Sequence, residues 1–239
     1  MPRYSKELFN YIVRKLGGKP DAAMPAFQQL PEVVRDNWLA AFGDINLPGA
    51  THSRKSVRLR GNTLPGYGIE EGTFIPPHVN QYTGRVAPPI IKTRYNPSFE
   101  SILHEGIHNL DNALYAAQHP TELEHSKSFF LPTFKSLGDA IVEGTPSPIH
   151  GSVPGYSAPT YAFKAAHDGD IAQAKAMLRH DPHGSDYYKN GDDLNWDLIS
   201  TEGIAQMLSQ PRYFNESKPY IAAVEAIEQN PLTQYDITF

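Results

Sequence analysis

The longest uninterrupted helical pattern of this 239-residue chain covers residues 96–118 and reads NPSFESILHEGIHNLDNALYAAQ. Asn96 is a favourable N-cap residue, and Pro97 is expected at the first helical position, where its missing N–H costs nothing. At about 100° per residue, the apolar and small residues share one arc of the helix. They are Phe99, Ile102, Leu103, Gly106, Leu110, Ala113 and Leu114. The pattern therefore predicts a long helix that packs on the core through this arc.

Shorter elements are predicted before this helix. Helical patterns cover residues 5–16, which start at Ser5 and end before Gly17, and residues 31–42. Between residues 44 and 95, short β-prone pieces alternate with Gly, Pro, Thr and Asn. They are SVRLRG (56–61), GTFIPP (72–77) and PPIIKTRY (88–95). These pieces predict a small twisted sheet, and the two prolines of the last piece favour a start at a sheet edge.

The sequence after residue 118 is again mostly helical. Helical segments are predicted at 133–142, 161–167, 170–179, 195–210 and 218–229. No change of composition marks a domain boundary. The predicted fold class is α+β, a mostly helical single domain over residues 1–239. In it, residues 1–95 hold helices and the small sheet, and residues 96–239 form the helical part.

Composition excludes several classes of function. The net charge is −5 at pH 7, so we expect no binding to nucleic acid or to an anionic membrane surface. The chain contains no run of about 18 apolar residues, so nothing is expected to span a membrane. Cysteine is absent, which removes disulfides, a Cys nucleophile and a Cys-ligated zinc site.

The N-terminal segment bears on where the protein acts. It reads MPRYSKELFNYIVRKLGG and lacks the apolar stretch of a secretory signal peptide. We therefore expect the protein to be cytoplasmic where it is made, or secreted without a Sec signal peptide, with delivery into another cell as one route.

Two histidines, His104 and His108, lie one turn apart on the polar side of the long helix, with Glu105 between them. Imidazoles at i and i+4 lie on adjacent turns, close enough to share one tetrahedral ion. Glu105 lies about 100° further round the helix, where a general base for an attacking water would stand. The alternative is an ordinary polar helix face. The mid-helix position, beside a separate apolar face, favours the metal site.

A catalytic zinc ion needs a third protein ligand and keeps its fourth position for water. Asp111 shares the stripe of the histidines, but it lies about 10 Å along the helix from the level of His104. It is better placed to orient His108, or it is simply solvated. His119 and His125 do not have the spacing of a third histidine ligand. Two glutamates remain, Glu143 and Glu202, and each precedes a glycine.

Helix position favours Glu202 over Glu143 as the third ligand. Glu143 falls at the frayed end of its predicted helix, whereas Glu202 lies in the middle of an amphipathic one. Gly203 destabilises that helix by roughly 1 kcal/mol relative to alanine, which suggests that it has a packing role. Gly106 suggests the same for the first helix. We expect the two helices to meet through these glycines, which would bring Glu202 to the ion.

These residues resemble a known family of enzymes. HEGIHNLD followed by TEGIAQML is similar to the gluzincin branch of the zincin metallopeptidases, in which HExxH is followed by a distal glutamate on a second helix. The HExxHxxD form resembles the anthrax-lethal-factor-like group. The resemblance implies a zincin-like catalytic core, Zn²⁺ bound by His104, His108 and Glu202, and Glu105 as the catalytic base. It covers these two helices only.

Two departures from that group concern residues near the third ligand. Gln206 stands where the group often has a second glutamate, and Asn195 and Trp196 stand where it places a tyrosine that stabilises the transition state. Tyr187 or Tyr188 is the candidate for that role, and we prefer Tyr188. His180 and His183 are weaker candidates for stabilising the oxyanion.

The sequence therefore predicts a monomeric zinc endopeptidase that hydrolyses a protein or peptide substrate. The PPIIKTRY strand, just before the metal helix, is the edge on which an extended peptide is expected to add. A compact zincin of this kind is similar to the effectors and toxins that bacteria deliver into other cells. The alternatives are a catalytically silent binding module with the zincin fold and a protein with structural zinc, which would need a fourth protein ligand.

Overall fold

The computed structural model describes residues 6–42, 72–87, 89–93, 97–120, 128–130, 172, 175–176, 196–216 and 218–232. The strand predicted at 56–61 and the helices predicted at 133–142 and 161–167 lie outside these residues. Of the helix predicted at 170–179, residues 172, 175 and 176 are described, and they are helical. Over the described residues the protein is mostly helical with a small antiparallel sheet, as the α+β prediction requires.

The chain divides into two compact units. One comprises residues 1–127 and 227–239, and the other comprises residues 128–226. The expectation of a single domain stays a prediction, as does the zincin-like core. Among the described residues, no helix has both the length and the apolar character that crossing a bilayer requires.

The first unit begins with three short helices, which are α1 (Lys6–Lys15), α2 (Pro20–Phe27) and α3 (Glu32–Ala41). The predictions for α1 and α3 are confirmed. Gly17 follows α1 with a φ of 81°, a left-handed conformation that stops a helix at little cost to glycine. Helix α2 was not predicted, because Pro25 lies inside it and proline normally breaks a helix.

A long β-hairpin follows, made of β1 (Gly72–Ile75), β2 (His78–Val79), β3 (Val86–Ala87) and β4 (Ile90–Thr93). Ile75 pairs with Ile90, and His78 pairs with Ala87 three residues further along each strand, so both antiparallel ladders keep one register. In the sequence, Pro76 and Pro77 separate β1 from β2, and Pro88 and Pro89 separate β3 from β4. Proline has no N–H to donate to a ladder. The predictions for β1 and β4 are confirmed.

Helix α4 (Phe99–Gln118) is the long helix of the first unit, and its start differs from the prediction. Ser98 is the N-cap, and its hydroxyl oxygen accepts a hydrogen bond from the Ser101 N–H at 3.1 Å. Pro97 therefore precedes the cap and does not occupy the first helical position, so the choice of Asn96 as N-cap was wrong. The cap falls at Ser98 because its hydroxyl, on an extended backbone, accepts from an N–H of the first turn.

An aromatic cluster packs α4 on the first three helices. Phe9 and Phe27 have ring centroids 4.4 Å apart, and Trp38 and Phe42 have centroids 4.6 Å apart. Phe99, at the start of α4, meets Phe9 edge to face at 6.1 Å. Edge-to-face and tilted pairs of this kind add to the stabilisation from buried area. This cluster holds the first half of α4 in place.

The second unit contains α5 (Trp196–Ser209), α6 (Pro211–Phe214) and most of α7, which spans Lys218–Gln229. The helices predicted at 195–210 and 218–229 are confirmed. The buried face of α5 consists of Ile204, Ala205, Met207 and Leu208. Glu202 and Gln206, one turn apart on the same helix, are half-buried. Glu202 therefore lies on the less buried side of α5.

Candidate metal site

The two histidines of α4 turn their Nε2 atoms toward each other. The Nε2–Nε2 distance is 3.1 Å, and the imidazole rings are 4.7 Å apart between centroids and nearly perpendicular, at 83°. Two nitrogens that bind one tetrahedral zinc ion lie about 3.3 Å apart, given bond lengths of about 2.0–2.1 Å. The same spacing also suits one N–H···N hydrogen bond between neutral imidazoles. His104 and His108 thus have the separation of a pair of ligands.

A third donor lies near this pair. One nitrogen from each of His104 and His108 and one carboxylate oxygen of Glu202 lie within 4.8 Å of one another. All three side chains are half-buried, so each is partly accessible to solvent. The three residues form a cluster within reach of one metal ion.

The donor set limits the choice of metal. Two imidazole nitrogens and one carboxylate oxygen suit zinc and other first-row transition metals, whereas calcium and magnesium prefer oxygen ligands alone. Three protein ligands with an open fourth position are typical of catalytic zinc sites, and structural zinc sites have four. The residues present therefore fit a transition metal, and the identity of that metal is a matter for proposal.

Glu105 follows His104 directly on α4 and is buried, with 8% of its surface exposed. Successive residues of a helix are about 100° apart, so this carboxylate projects from the same turn as the histidines without sharing their direction. Burial restricts the positions that the side chain can take. Glu105 is thus a carboxylate held beside the candidate ligands.

Strand β1 supplies an aromatic neighbour to the histidine pair. The ring of Phe74 is stacked on the imidazole of His108, with centroids 6.3 Å apart and planes within 17°. Phe74 pairs across the hairpin with Ile91, which is buried. The hairpin therefore places an aromatic ring parallel to the His108 imidazole. Sequence reasoning missed Phe74, because no local pattern connects residue 74 to residue 108.

The opposite side of the same turn packs on α3. The Trp38 indole N–H donates to the Leu103 carbonyl at 3.4 Å, and the Asn109 side-chain amide donates to the Ala41 carbonyl at 2.9 Å. Gly106 faces the Trp38 ring, where an added Cβ would lie 2.8 Å from Cζ2 and closer still to Nε1. The expected role of Gly106 was contact with a second helix through Gly203. That interpretation was wrong for Gly106, because Trp38 fills the space.

Asp111 is buried, with 5% of its surface exposed, so the alternative of a solvated aspartate was wrong. The reason is that α4 is buried on several sides, since Asn109 and Asn112 are also buried. His119 ends the helix, where its ring is stacked on Tyr115 at 4.1 Å and its Nδ1 lies 3.0 Å from the Tyr115 carbonyl oxygen. That contact gives His119 a role at the C-terminal end of α4.

Several predicted candidates lie outside the described residues. They are Glu143, the alternative third ligand; Tyr187 and Tyr188, for the transition state; His180 and His183, for the oxyanion; and His125 and Asn195. Their roles stay predictions.

Comparisons with protein-family models, with curated proteins and with solved structures returned no match for this chain.

Proposed function

We propose that this chain is a zinc-dependent endopeptidase with His104, His108 and Glu202 as zinc ligands and Glu105 as the general base. The observation that supports it is the cluster of two imidazole nitrogens and one carboxylate oxygen within 4.8 Å, with Glu105 next to His104. A metal in this donor set would polarise the scissile carbonyl and activate a water molecule. The three ligands are half-buried, so part of each side chain is accessible to solvent.

Glu105 carries the proton transfer in this proposal. Its carboxylate takes a proton from the attacking water and then donates it to the nitrogen of the leaving amine. The proposal needs a carboxylate that stays close to the histidines without being a ligand. Glu105 has that position in the helix, and its burial confines its side chain. A silent binding module would have no need of a carboxylate in this place.

An extended peptide segment is the proposed substrate. Strand β4 pairs with β1 and with no other described strand, so one edge of each strand is unpaired among the described residues. A peptide can add to such an edge through main-chain hydrogen bonds. Phe74 of β1 contacts the imidazole of His108, which connects this small sheet to the histidine pair. The proposal therefore favours proteins with an accessible extended segment over compact small molecules.

The test joins metal analysis to a cleavage assay. The wild-type protein, purified without chelator, should contain about one zinc per chain and cleave denatured casein or a quenched peptide library. Glu105→Gln should keep the zinc and lose about 10²–10⁴-fold in turnover, since general base catalysis contributes that much. Glu100→Gln, an exposed glutamate on the same helix, is the matched control and should leave both values unchanged.

The outcomes separate the candidate functions. Absence of stoichiometric metal from the wild type would end the zinc proposal. Stoichiometric zinc with no cleavage of any probe would favour the binding module. Full activity in Glu105→Gln would remove Glu105 from the mechanism.

A further inference from the structure

The histidine-bearing turn of α4 has Trp38 of α3 directly behind it. Trp38 is fully buried, with 0% of its surface exposed, and it lies 65 residues before Leu103 in the chain. The turn presents Leu103, Gly106 and Asn109 toward α3, and each of them makes a contact there. His104 and His108 project from the same turn. Anything that displaces this backbone therefore displaces the two imidazoles.

The Trp38 ring lies closer to the backbone of Gly106 than it could if position 106 carried a Cβ atom. A Cβ at position 106 would lie 2.5 Å from Cε2 and 2.8 Å from Cζ2 of the indole. Carbon atoms in contact normally stay about 3.5–4.0 Å apart. A rigid ring in a close-packed core has little room to give way. The missing side chain of Gly106 is thus what allows the indole to lie against the α4 backbone.

Two hydrogen bonds flank this contact. The Trp38 N–H to Leu103 carbonyl bond lies one residue before His104, and the Asn109 amide to Ala41 carbonyl bond lies one residue after His108. The turn is therefore attached to α3 at both ends and in the middle. Because Gly106 lies between the histidines along the chain, a backbone distortion there changes the mutual orientation of the imidazoles.

We propose that Trp38 and Gly106 are a positioning pair that sets the geometry of His104 and His108 for metal binding. The proposal rests on the proposed function, since it assumes that the two histidines bind the metal. Trp38 acts from the opposite side of the helix and touches neither the metal nor the substrate. Its effect is on the direction of the Nε2 atoms, and metal sites tolerate only small errors in that direction.

The test is a double-mutant cycle with metal binding as the readout. Gly106→Ala should weaken zinc binding at least about 10-fold, measured by competition with a chelator at a temperature where the variant is folded. It should also change the visible absorption spectrum of the Co²⁺-substituted protein, which reports ligand geometry. Trp38→Leu removes the three indole atoms that the added Cβ would meet, so combining it with Gly106→Ala should recover most of the lost affinity.

Gly18→Ala is the matched control. Its added Cβ would also be crowded, at 2.5 Å from Cδ1 of Ile102 and 2.9 Å from Cγ1 of Val13. Cδ1 is the flexible end of the Ile102 side chain on α4, and Cγ1 belongs to the β-branched Val13 of α1, so neither atom belongs to the ring that lies against Gly106. Gly18→Ala should therefore lower thermal stability while leaving the zinc affinity within about twofold and the Co²⁺ spectrum unchanged.

The outcomes distinguish this inference from the proposed function. A wild-type protein that binds no metal would refute the proposed function itself. A wild type that binds zinc, with equal affinity and an equal spectrum in folded Gly106→Ala, would overturn the positioning pair alone. Equal losses in Gly18→Ala would also overturn it, because general destabilisation would then suffice. Should Gly106→Ala not fold, failure of the double variant with Trp38→Leu to restore folding and zinc binding would overturn it as well.

Discussion

On one side of α4, His104 and His108 are half-buried, and their Nε2 atoms lie 3.1 Å apart. On the other side of the same turn, Leu103 and Gly106 are buried against Trp38. The first side offers donor atoms that solvent can partly reach. The second side offers close packing and hydrogen bonds to α3. One turn of helix thus meets two different requirements.

The two sides of the turn should therefore fail in different ways. A change among the donor atoms should remove metal while leaving the packing of α4 intact. A change among the contacts to α3 should first lower the free energy of unfolding, because buried packing contacts and buried hydrogen bonds stabilise the fold. Gly106 is the expected exception, since its contact with Trp38 lies between the two histidines.

The largest effect is expected from the histidines. His104→Ala and His108→Ala each remove one of three ligands, so zinc binding should weaken by more than about 100-fold, beyond what loss of a supporting residue usually costs. The melting temperature of the metal-free protein should change little, because both side chains are half-buried. Elemental analysis and chelator titration give the first value, and calorimetry gives the second. An unchanged zinc affinity in either variant would show that the donor side is not a metal site.

The identity of the third ligand is the second test of the donor side. Glu202→Gln should weaken zinc binding by about 10–100-fold or more, because a neutral amide is a poor ligand and two histidines alone hold the ion loosely. Glu143→Gln is the comparison variant and should leave zinc binding nearly unchanged. Parallel chelator titrations of the two variants decide between them. Zinc release by Glu143→Gln alone would assign the ligand to Glu143.

The smallest effect on metal is expected from Asn109 on the packing side. Asn109→Ala removes the hydrogen bond to the Ala41 carbonyl, so the free energy of unfolding should fall by about 1–3 kcal/mol. Zinc affinity should stay within about twofold of the wild-type value, since the smaller side chain does not displace the α4 backbone. Chemical denaturation of the metal-free protein measures the first quantity.

The exposed bond between Gln118 and Asn230 provides the control for that experiment. Gln118→Ala, at the exposed partner of that bond, should cost less than about 0.5 kcal/mol, as surface changes usually do. A large loss of zinc affinity in Asn109→Ala would erase the distinction between the two sides of the turn.

Local patterns predicted much of the fold and the donor side of the site. The spacing of His104, Glu105 and His108 needs only a helix, and the apolar period predicted α4 correctly. The same reasoning predicted α5, which carries Glu202, and strands β1 and β4 of the hairpin. These features depend on neighbours within about one turn or one strand, and such neighbours can be read along the chain.

Contacts between distant residues were the part that local patterns did not predict. The sequence also missed one local feature, since it predicted Asn96 as the cap of α4, whereas the Ser98 hydroxyl reaches the first turn. It predicted contact between glycines at Gly106, yet Trp38 fills that space. It left Asp111 open to a solvated role, yet burial on several sides of α4 removes that option.

Sequence alone thus named the candidate donors His104 and His108 on one helix and left the third between Glu202 and Glu143. Tertiary packing established which residues meet. It turned the two Nε2 atoms toward each other, stacked Phe74 on His108, and put Trp38 behind Gly106. The difference arises because helix and strand periods come from local geometry, whereas the fit of a ring against a glycine depends on packing between segments far apart in the chain.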